Sequence, residues 1–274
     1  MRWRRARSLS SGEPAGRERE GLVIKRVHHV GIVVSDLAAG YAFWRDTLGL
    51  PLIREAEVKD QGVRAALLAC GSCEIELLAP TGPDTPVGRF LARRGEGLHH
   101  LCFESDDVTR DVQRLFGTGV ELIDSKPRLG LAGMIAFVHP RACAGILVEL
   151  ATPLSAPTTV PAPMTVTVIH AIVESVQGAV DLFKNMFGLK IRISHPDWSL
   201  AQLAAGDLAL QLSSTGATAG TPGVSMLRLM TRDIPGVAAR LESRNLAFRQ
   251  DAVGLVLGPG ATRGVPLVIH QPQV

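Results

Sequence analysis

Aromatic side chains are scarce in this sequence: 274 residues hold three Trp, one Tyr and eight Phe. Leu, Val, Ile and Ala must therefore fill the interior. With 46% hydrophobic and 20% charged residues there is enough apolar material for a sizeable core. Long hydrophobic runs are missing as well. Every apolar stretch is interrupted well short of the ~18 residues that a membrane-spanning helix needs, so no membrane partner is expected. Charge of one sign is also lacking. The formal net charge is +3, and it is concentrated in the first nineteen residues, which carry Arg2, Arg4, Arg5, Arg7, Arg17 and Arg19. The remainder is close to neutral, which gives no basis for a nucleic-acid partner. Cysteine is limited to Cys70, Cys73, Cys102 and Cys143. Cys70-Gly-Ser-Cys73 has the spacing of half a zinc site, but no second pair completes it, and Gly-Ser suits the tip of a hairpin. Reduced thiols in a cytoplasmic protein are the expectation.

The Arg-rich segment 1–23 has almost no apolar periodicity and is expected to be a disordered tail. It lacks the apolar run of a secretory signal, and Glu13, Glu18 and Glu20 are out of place in a mitochondrial presequence. A second break is "TPLSAPTTVPAPM", whose Pro and Thr mark a linker over 154–163. Two domains are expected, 24–153 and 164–274.

What the chain does have is a repeat. Four segments share one order: an apolar strand, an acidic or hydroxyl residue, then an amphipathic helix. They are "VGIVVSDLAAGYAFWRDTLGL", "LCFESDDVTRDVQRLFGTGV", "AIVESVQGAVDLFKNMFGL" and "LRLMTRDIPGVAARLESRNL". Leu37, Tyr41, Trp44 and Leu48 recur at helical spacing in the first, and Val176, Val180, Phe183 and Phe187 in the third. Asp36, Asp107, Ser175 and Asp233 are placed to cap the helices, and Gly49, Gly119 and Gly188 to close three of them. In the first unit, strands are expected over 51–57, 62–70 and 73–79, with "CGSC" as the hairpin tip. Each unit is thus βαβββ, and the fold class is α+β.

Alternation along the strands sorts the polar residues by face. In "HHVGIVV", Val30, Ile32 and Val34 form the face that packs on a helix, and His29, Gly31 and Val33 the other. In "HHLCFES", Leu101 and Phe103 face the helix, while His100, Cys102 and Glu104 face away. By the same count His28 and His99 point the opposite way from their neighbours. "CEIELLAP" and "GILVELATP" place Glu76 and Glu149 on the concave face. His29 and His100 lie 71 positions apart, Glu76 and Glu149 lie 73 apart, and an internal pseudo-two-fold would bring all four together. Any one of them alone is more simply a solvated strand residue. Two imidazoles and two carboxylates paired by a repeat suit one divalent metal ion, with cobalt, manganese, nickel, zinc and magnesium not distinguished.

These motifs resemble the vicinal oxygen chelate superfamily, which includes glyoxalases, bleomycin resistance proteins and extradiol dioxygenases. Over 24–153 the resemblance is to the methylmalonyl-CoA epimerase family, carried by "VHHVGIVVSDL", "FWRDTLGL", "CEIELLAP", "GLHHLCFES" and most specifically "SKPRLGLAGMIAFVHPRACAGILVELATP". The resemblance implies two tandem domains, each of two βαβββ modules forming a curved mixed sheet around a metal site. It implies metal ligands His29, Glu76, His100 and Glu149, and an acyl-CoA substrate. The implied activity is that of an epimerase interconverting the C2 epimers of methylmalonyl-CoA through an enolate, with Glu149 as a catalytic acid/base. No separate cofactor-binding residues are implied. Some members of that family place a second carboxylate on the strand equivalent to 62–70. Ala65 stands there in this chain, so water, Glu76 or a residue of another loop must serve.

The second domain aligns with the first but has lost the ligand set. Val168 falls at the position of His29, Gln211 at that of Glu76, Met226 at that of His100 and Val268 at that of Glu149. His170 and His270 lie two residues away on the same faces. A structural role is expected, with the chain a monomeric pseudo-dimer or a homodimer. The competing functions are a glyoxalase I-type lyase or another enzyme of the superfamily, a non-enzymatic small-molecule binder, and a two-domain dioxygenase, whose facial triad has a single carboxylate.

Overall fold

The computed structural model of the protein describes residue 22 and residues 24–155, 160–216 and 220–272. The tail expected over 1–23 lies outside the described residues except for Leu22, and the linker over 154–163 is described in part. Leu22 is buried, and its N–H donates to the Met186 carbonyl at 2.8 Å. No described helix is long and apolar enough to cross a membrane.

The first half forms an eight-stranded sheet. Its first module is β1 (Val27–Val33), α1 (Leu37–Trp44), β2 (Leu52–Val58), β3 (Val63–Cys70) and β4 (Cys73–Pro80). A helix α2 (Pro86–Arg94) follows, and then the second module: β5 (Gly97–Glu104), α3 (Val108–Gly117), β6 (Arg128–Gly130), β7 (Gly133–Val138) and β8 (Val148–Thr152). The strand order is β2-β3-β4-β1-β5-β8-β7-β6. The second half repeats this with β9 (Thr165–Val173), α4 (Val176–Phe187), β10 (Lys190–Ser194), β11 (Leu200–Ala205) and β12 (Leu208–Ser214). It ends with β13 (Gly223–Met230), α5 (Ile234–Ser243), β14 (Arg249–Asp251), β15 (Gly254–Leu257) and β16 (Leu267–His270). Its order, β10-β11-β12-β9-β13-β16-β15-β14, matches the first strand for strand. The four expected units and their α+β class are the observed ones, joined in pairs across β1/β5 and β9/β13.

Local chemistry sets the helix starts. Asp36, Asp107, Ser175 and Asp233 each accept a backbone N–H from the first turn of their helix, satisfying donors that the helix itself cannot. Helix α2 starts the same way, with Thr85 as cap and Pro86 in the first turn. Cys70 and Cys73 pair across the β3–β4 hairpin, and all four cysteines are buried free thiols.

Alternation then separates two interiors. On the helix side, Val30, Ile32, Ile75, Leu77, Leu101 and Phe103 pack with Trp44 of α1. This core is continuous with that of the second half. The Phe103 ring meets Phe187 at 5.2 Å and Phe183 at 6.4 Å between centroids. Arg240 donates to the Thr47 carbonyl at 2.9 Å, and Arg244 to the Asp46 carbonyl at 3.1 Å. These two arginines of the α5 region thus satisfy carbonyls just beyond the C-terminus of α1, where cations are favoured. On the concave side a smaller apolar cluster of Val33, Val63, Ala65, Leu67, Leu78, Val87 and Leu131 lines the space that the sheet curls around.

Candidate metal centre

The concave face of the first sheet holds the candidate site, and the ladder between β1 and β5 shapes it. Gly31 pairs with His100 and His29 with Cys102, while β4 sets Glu76 beside Gly31 and β8 sets Glu149 beside Cys102. The four expected residues are thereby gathered at the middle of the sheet. His29 Nε2 lies 3.0 Å from His100 Nε2, 3.3 Å from Glu76 and 3.9 Å from Glu149. His100 Nε2 lies 3.5 Å from Glu76 and 3.4 Å from Glu149. All four are buried. Gly31 is part of the geometry, because a Cβ there would collide with the His100 ring.

The expected direction of His28 and His99 is corrected by the structure. The β1/β5 ladder breaks register twice, between Val27 and His29 and between Gly31 and Ile32. The first break makes His28 an extra residue on β1, and the second makes His99 an extra residue on β5. A bulge places two residues opposite one and turns the extra side chain toward its neighbour. His28 Nδ1 therefore sits 3.0 Å from His29 Nδ1, and His99 Nδ1 sits 3.0 Å from His100 Nδ1. Strict alternation cannot anticipate this. Sequence reasoning also missed Cys102 as a neighbour, although its face was assigned correctly: its Sγ lies 3.6 Å from Glu149. His28, His29 and Cys102 form a second buried group of donor atoms that shares His29 with the group of His29, Glu76 and His100.

The electrostatics explain why these groups tolerate burial. Burial works against a charged His29, yet Glu76 and then Glu149 outweigh it and raise its pKa to about 9. Burial acts to raise Glu76, but His29 and His100 hold it below the ordinary carboxylate range. Glu149 goes the other way, raised chiefly by burial and also by Glu76. Two carboxylates in one low-dielectric site need a cation between them. Burial and the adjacent charges lower His28 to about 2 and His99 to about 3, so both remain neutral.

The residues fit a divalent metal. Donors at ~2.1 Å around a tetrahedral or more open centre stand roughly 3.0–3.5 Å apart. Four of the five donor separations, 3.0–3.5 Å, fall in this range; His29 to Glu149 is longer at 3.9 Å, so that His29, Glu76 and His100 form the compact group and Glu149 stands at its edge. Imidazole and carboxylate together suit borderline divalent ions.

A cavity of about 390 Å³ opens onto the set, with Glu76, His100 and Glu149 on its floor. Val63, Ala65, Leu78, Leu131, Ile135 and Phe137 line its walls, and Asp60, Gln61, His99, Asp124 and Arg128 are its polar lining. Arg128 is held by Asp124 at 3.0 Å. From β3 only Val63 and Ala65 reach this space, so that strand contributes no carboxyl.

The second sheet keeps the register and changes the chemistry. Gln211 pairs with His170 as Glu76 does with Gly31, and Met226 pairs with His170 as His100 does with Gly31. An imidazole therefore stands where the first sheet needs a bare glycine. His170 Nδ1 is 3.0 Å from Gln211 Nε2, and Gln202 donates to Gln211 at 2.8 Å. His270 instead meets Thr167 at 3.0 Å. Burial and Arg228 lower His170 to about 4. Among the described residues, no metal-binding group of three side chains occurs in this sheet.

Comparison with known proteins matches residues 28–138 to the Glyoxalase/Bleomycin resistance protein/Dioxygenase superfamily. An ethylmalonyl-CoA/methylmalonyl-CoA epimerase of Cereibacter sphaeroides is 36% identical over 131 residues, covering 47% of this chain and 98% of that protein. The mitochondrial methylmalonyl-CoA epimerase of Homo sapiens is 33% identical over 127 residues, covering 46% of this chain and 72% of that protein. A variant of 4-hydroxymandelate synthase from Streptomyces coelicolor superposes with a TM-score of 0.62 at 22% identity, covering 84% of this chain and 78% of that one. This last likeness is one of fold.

Proposed function

The chain belongs to the Glyoxalase/Bleomycin resistance protein/Dioxygenase superfamily, and from that premise we propose that its first sheet is a metal-dependent epimerase acting on the C2 centre of methylmalonyl-CoA. The observation that carries this is the gathering of His29, Glu76, His100 and Glu149 at one point, with Glu76, His100 and Glu149 on the floor of a cavity with apolar walls and His29 buried beneath them. The named epimerases among its relatives support the substrate class.

His29, Glu76, His100 and Glu149 would hold the ion, which when bound supplies a Lewis acid for the carbonyl oxygens flanking C2. The C2 proton, between a thioester and a carboxylate, is weakly acidic. The family resemblance assigns the proton transfer to Glu149, whose carboxyl lines the cavity. It takes the C2 proton and leaves an enolate. The apolar walls limit water around that enolate and leave room for the small α-substituent. With Ala65 in place of an acid on β3, that strand supplies no proton to the opposite face, and water, Glu76 or a residue of another loop must serve. The second sheet acts as a built-in partner that covers the helix side of the first. Domain boundaries at 24–153 and 164–274 belong to the same proposal.

The test is conversion of one C2 epimer of methylmalonyl-CoA into the other, followed on a chiral separation. Turnover is expected with divalent metal and none after chelation. A metal-loaded protein that leaves both epimers untouched, yet isomerises a glutathione hemithioacetal, would assign it to the lyases instead.

A further inference from the structure

The paired bulges of β1 and β5 put a second imidazole behind each metal-facing one. The arrangement is related by the internal pseudo-two-fold: His28 behind His29 and His99 behind His100, each at 3.0 Å between Nδ1 atoms. Such a contact requires one nitrogen to donate and the other to accept. The Nε2 of His100 is the atom that faces His29, Glu76 and Glu149. If Nε2 keeps its lone pair for a metal, the ring proton must sit on Nδ1, and His99 Nδ1 is the acceptor in reach.

We propose that His99 is a positioning residue for His100: it accepts the Nδ1–H hydrogen bond that fixes the His100 tautomer and ring orientation. This rests on His100 being a metal ligand. Ligating histidines generally need such a partner for the second ring nitrogen, often a carboxylate or carbonyl. Here a neutral imidazole fills the role. Two edge contacts hold the pair in place: Phe90 meets the His99 ring at 4.8 Å, and Phe137 meets the His100 ring at 5.3 Å. The His28–His29 pair repeats the geometry, but Glu74 lies 3.2 Å from His28 Nδ1 and competes for that nitrogen. The His99 pair is free of this competition. The second sheet supports the link between bulge and ligand. It keeps both bulges, with Thr167 and Ser225 as the extra residues, and where the ligands are gone the bulge histidines are gone too.

The experiment uses the full chain with zinc, a diamagnetic probe. In ¹⁵N-labelled wild type, His100 should carry its proton on Nδ1, with a scalar coupling across the hydrogen bond to His99 Nδ1, both with zinc and without. Zinc affinity, read by a competing chelator, should weaken ~10–100-fold in His99→Leu. His99→Asn sets an amide oxygen near the place of Nδ1 and should restore most of the affinity. A His100 proton on Nε2, the absence of the coupling, or wild-type affinity in His99→Leu would overturn the proposal. So would a His99→Asn variant as weak as His99→Leu, since packing alone would then explain the loss. None of these readouts needs turnover. Tight zinc binding with the expected coupling but no epimerisation would refute the proposed function and leave His99 its role. Failure of the wild type to take up zinc would overturn both.

Discussion

The two concave faces share a strand order, a register and a pair of bulges, yet one gathers two histidines and two glutamates and the other a chain of two glutamines and a histidine. The difference turns on a few positions. Gly31 leaves room for the His100 ring, whereas His170 fills the equivalent space and bonds to Gln211. Glu76 is an acceptor held charged by two imidazoles, whereas Gln211 both donates and accepts within a neutral chain. The same backbone thus gathers a candidate cation site only where small and acidic residues coincide. Elsewhere it holds a Gln202–Gln211–His170 hydrogen-bonded chain that leaves His170 Nε2 buried without a partner.

Copying the second face into the first should have the largest effect. Gly31→His or His100→Met is expected to take bound metal from about one ion per chain to background, as measured by metal analysis after gel filtration. Retention of the ion by either variant would mean that the two faces do not differ where the register says they do.

Disrupting the contact between the halves should come next. Phe183 is fully buried against Phe103. Its replacement by Ala should cost about 3–5 kcal/mol in chemical denaturation. Deleting 164–274 should expose the shared apolar core and drive dimerisation or aggregation. A truncated chain that is monomeric and fully active would end the view of the second sheet as a built-in partner.

A pH series sharpens the contrast further. In the metal-free protein His29 holds its proton up to about 9, and the ion must displace it. Metal affinity should therefore rise about tenfold per pH unit and level off near pH 9, rather than near the ordinary histidine value. The sign for stability is opposite. The raised His29 stabilises the metal-free fold fully below its unfolded pKa, and that contribution is lost as pH rises through about 9. Thermal denaturation against pH checks it.

The smallest effect belongs to Gln211. Gln211→Ala should leave epimerisation within about twofold of wild type, because distant sites act nearly independently. A large loss would give the second face a role in turnover.

Much of this contrast is legible in the sequence. Period-two alternation finds His29, His100, Glu76 and Glu149, because parallel and antiparallel ladders preserve faces from strand to strand. The cap residues mark the four repeated helices for an equally local reason. His28 and His99 are misdirected because a bulge is set by the pairing of two distant strands. Neither "VHHV" nor "LHHL" alone says which strand carries the extra residue. Helix α2 is passed over because it lies outside the fourfold repeat, although Thr85 and Pro86 announce it. The arginines that meet the α1 carbonyls, and the meeting of Phe103 with Phe183, depend on tertiary contacts that no local pattern encodes.

Under the proposed function Glu149 moves the C2 proton while Glu76 only helps to hold the ion. Both should keep much of the ion when replaced by Gln, since an amide oxygen can still coordinate. The measurement is the rate of solvent deuterium exchange at C2 of methylmalonyl-CoA, in Glu149→Gln and Glu76→Gln at matched metal occupancy. Glu149→Gln should slow exchange by ~10²–10⁴ and Glu76→Gln far less. If Glu76→Gln is the more damaged variant, or if both exchange like wild type, Glu149 is not the base.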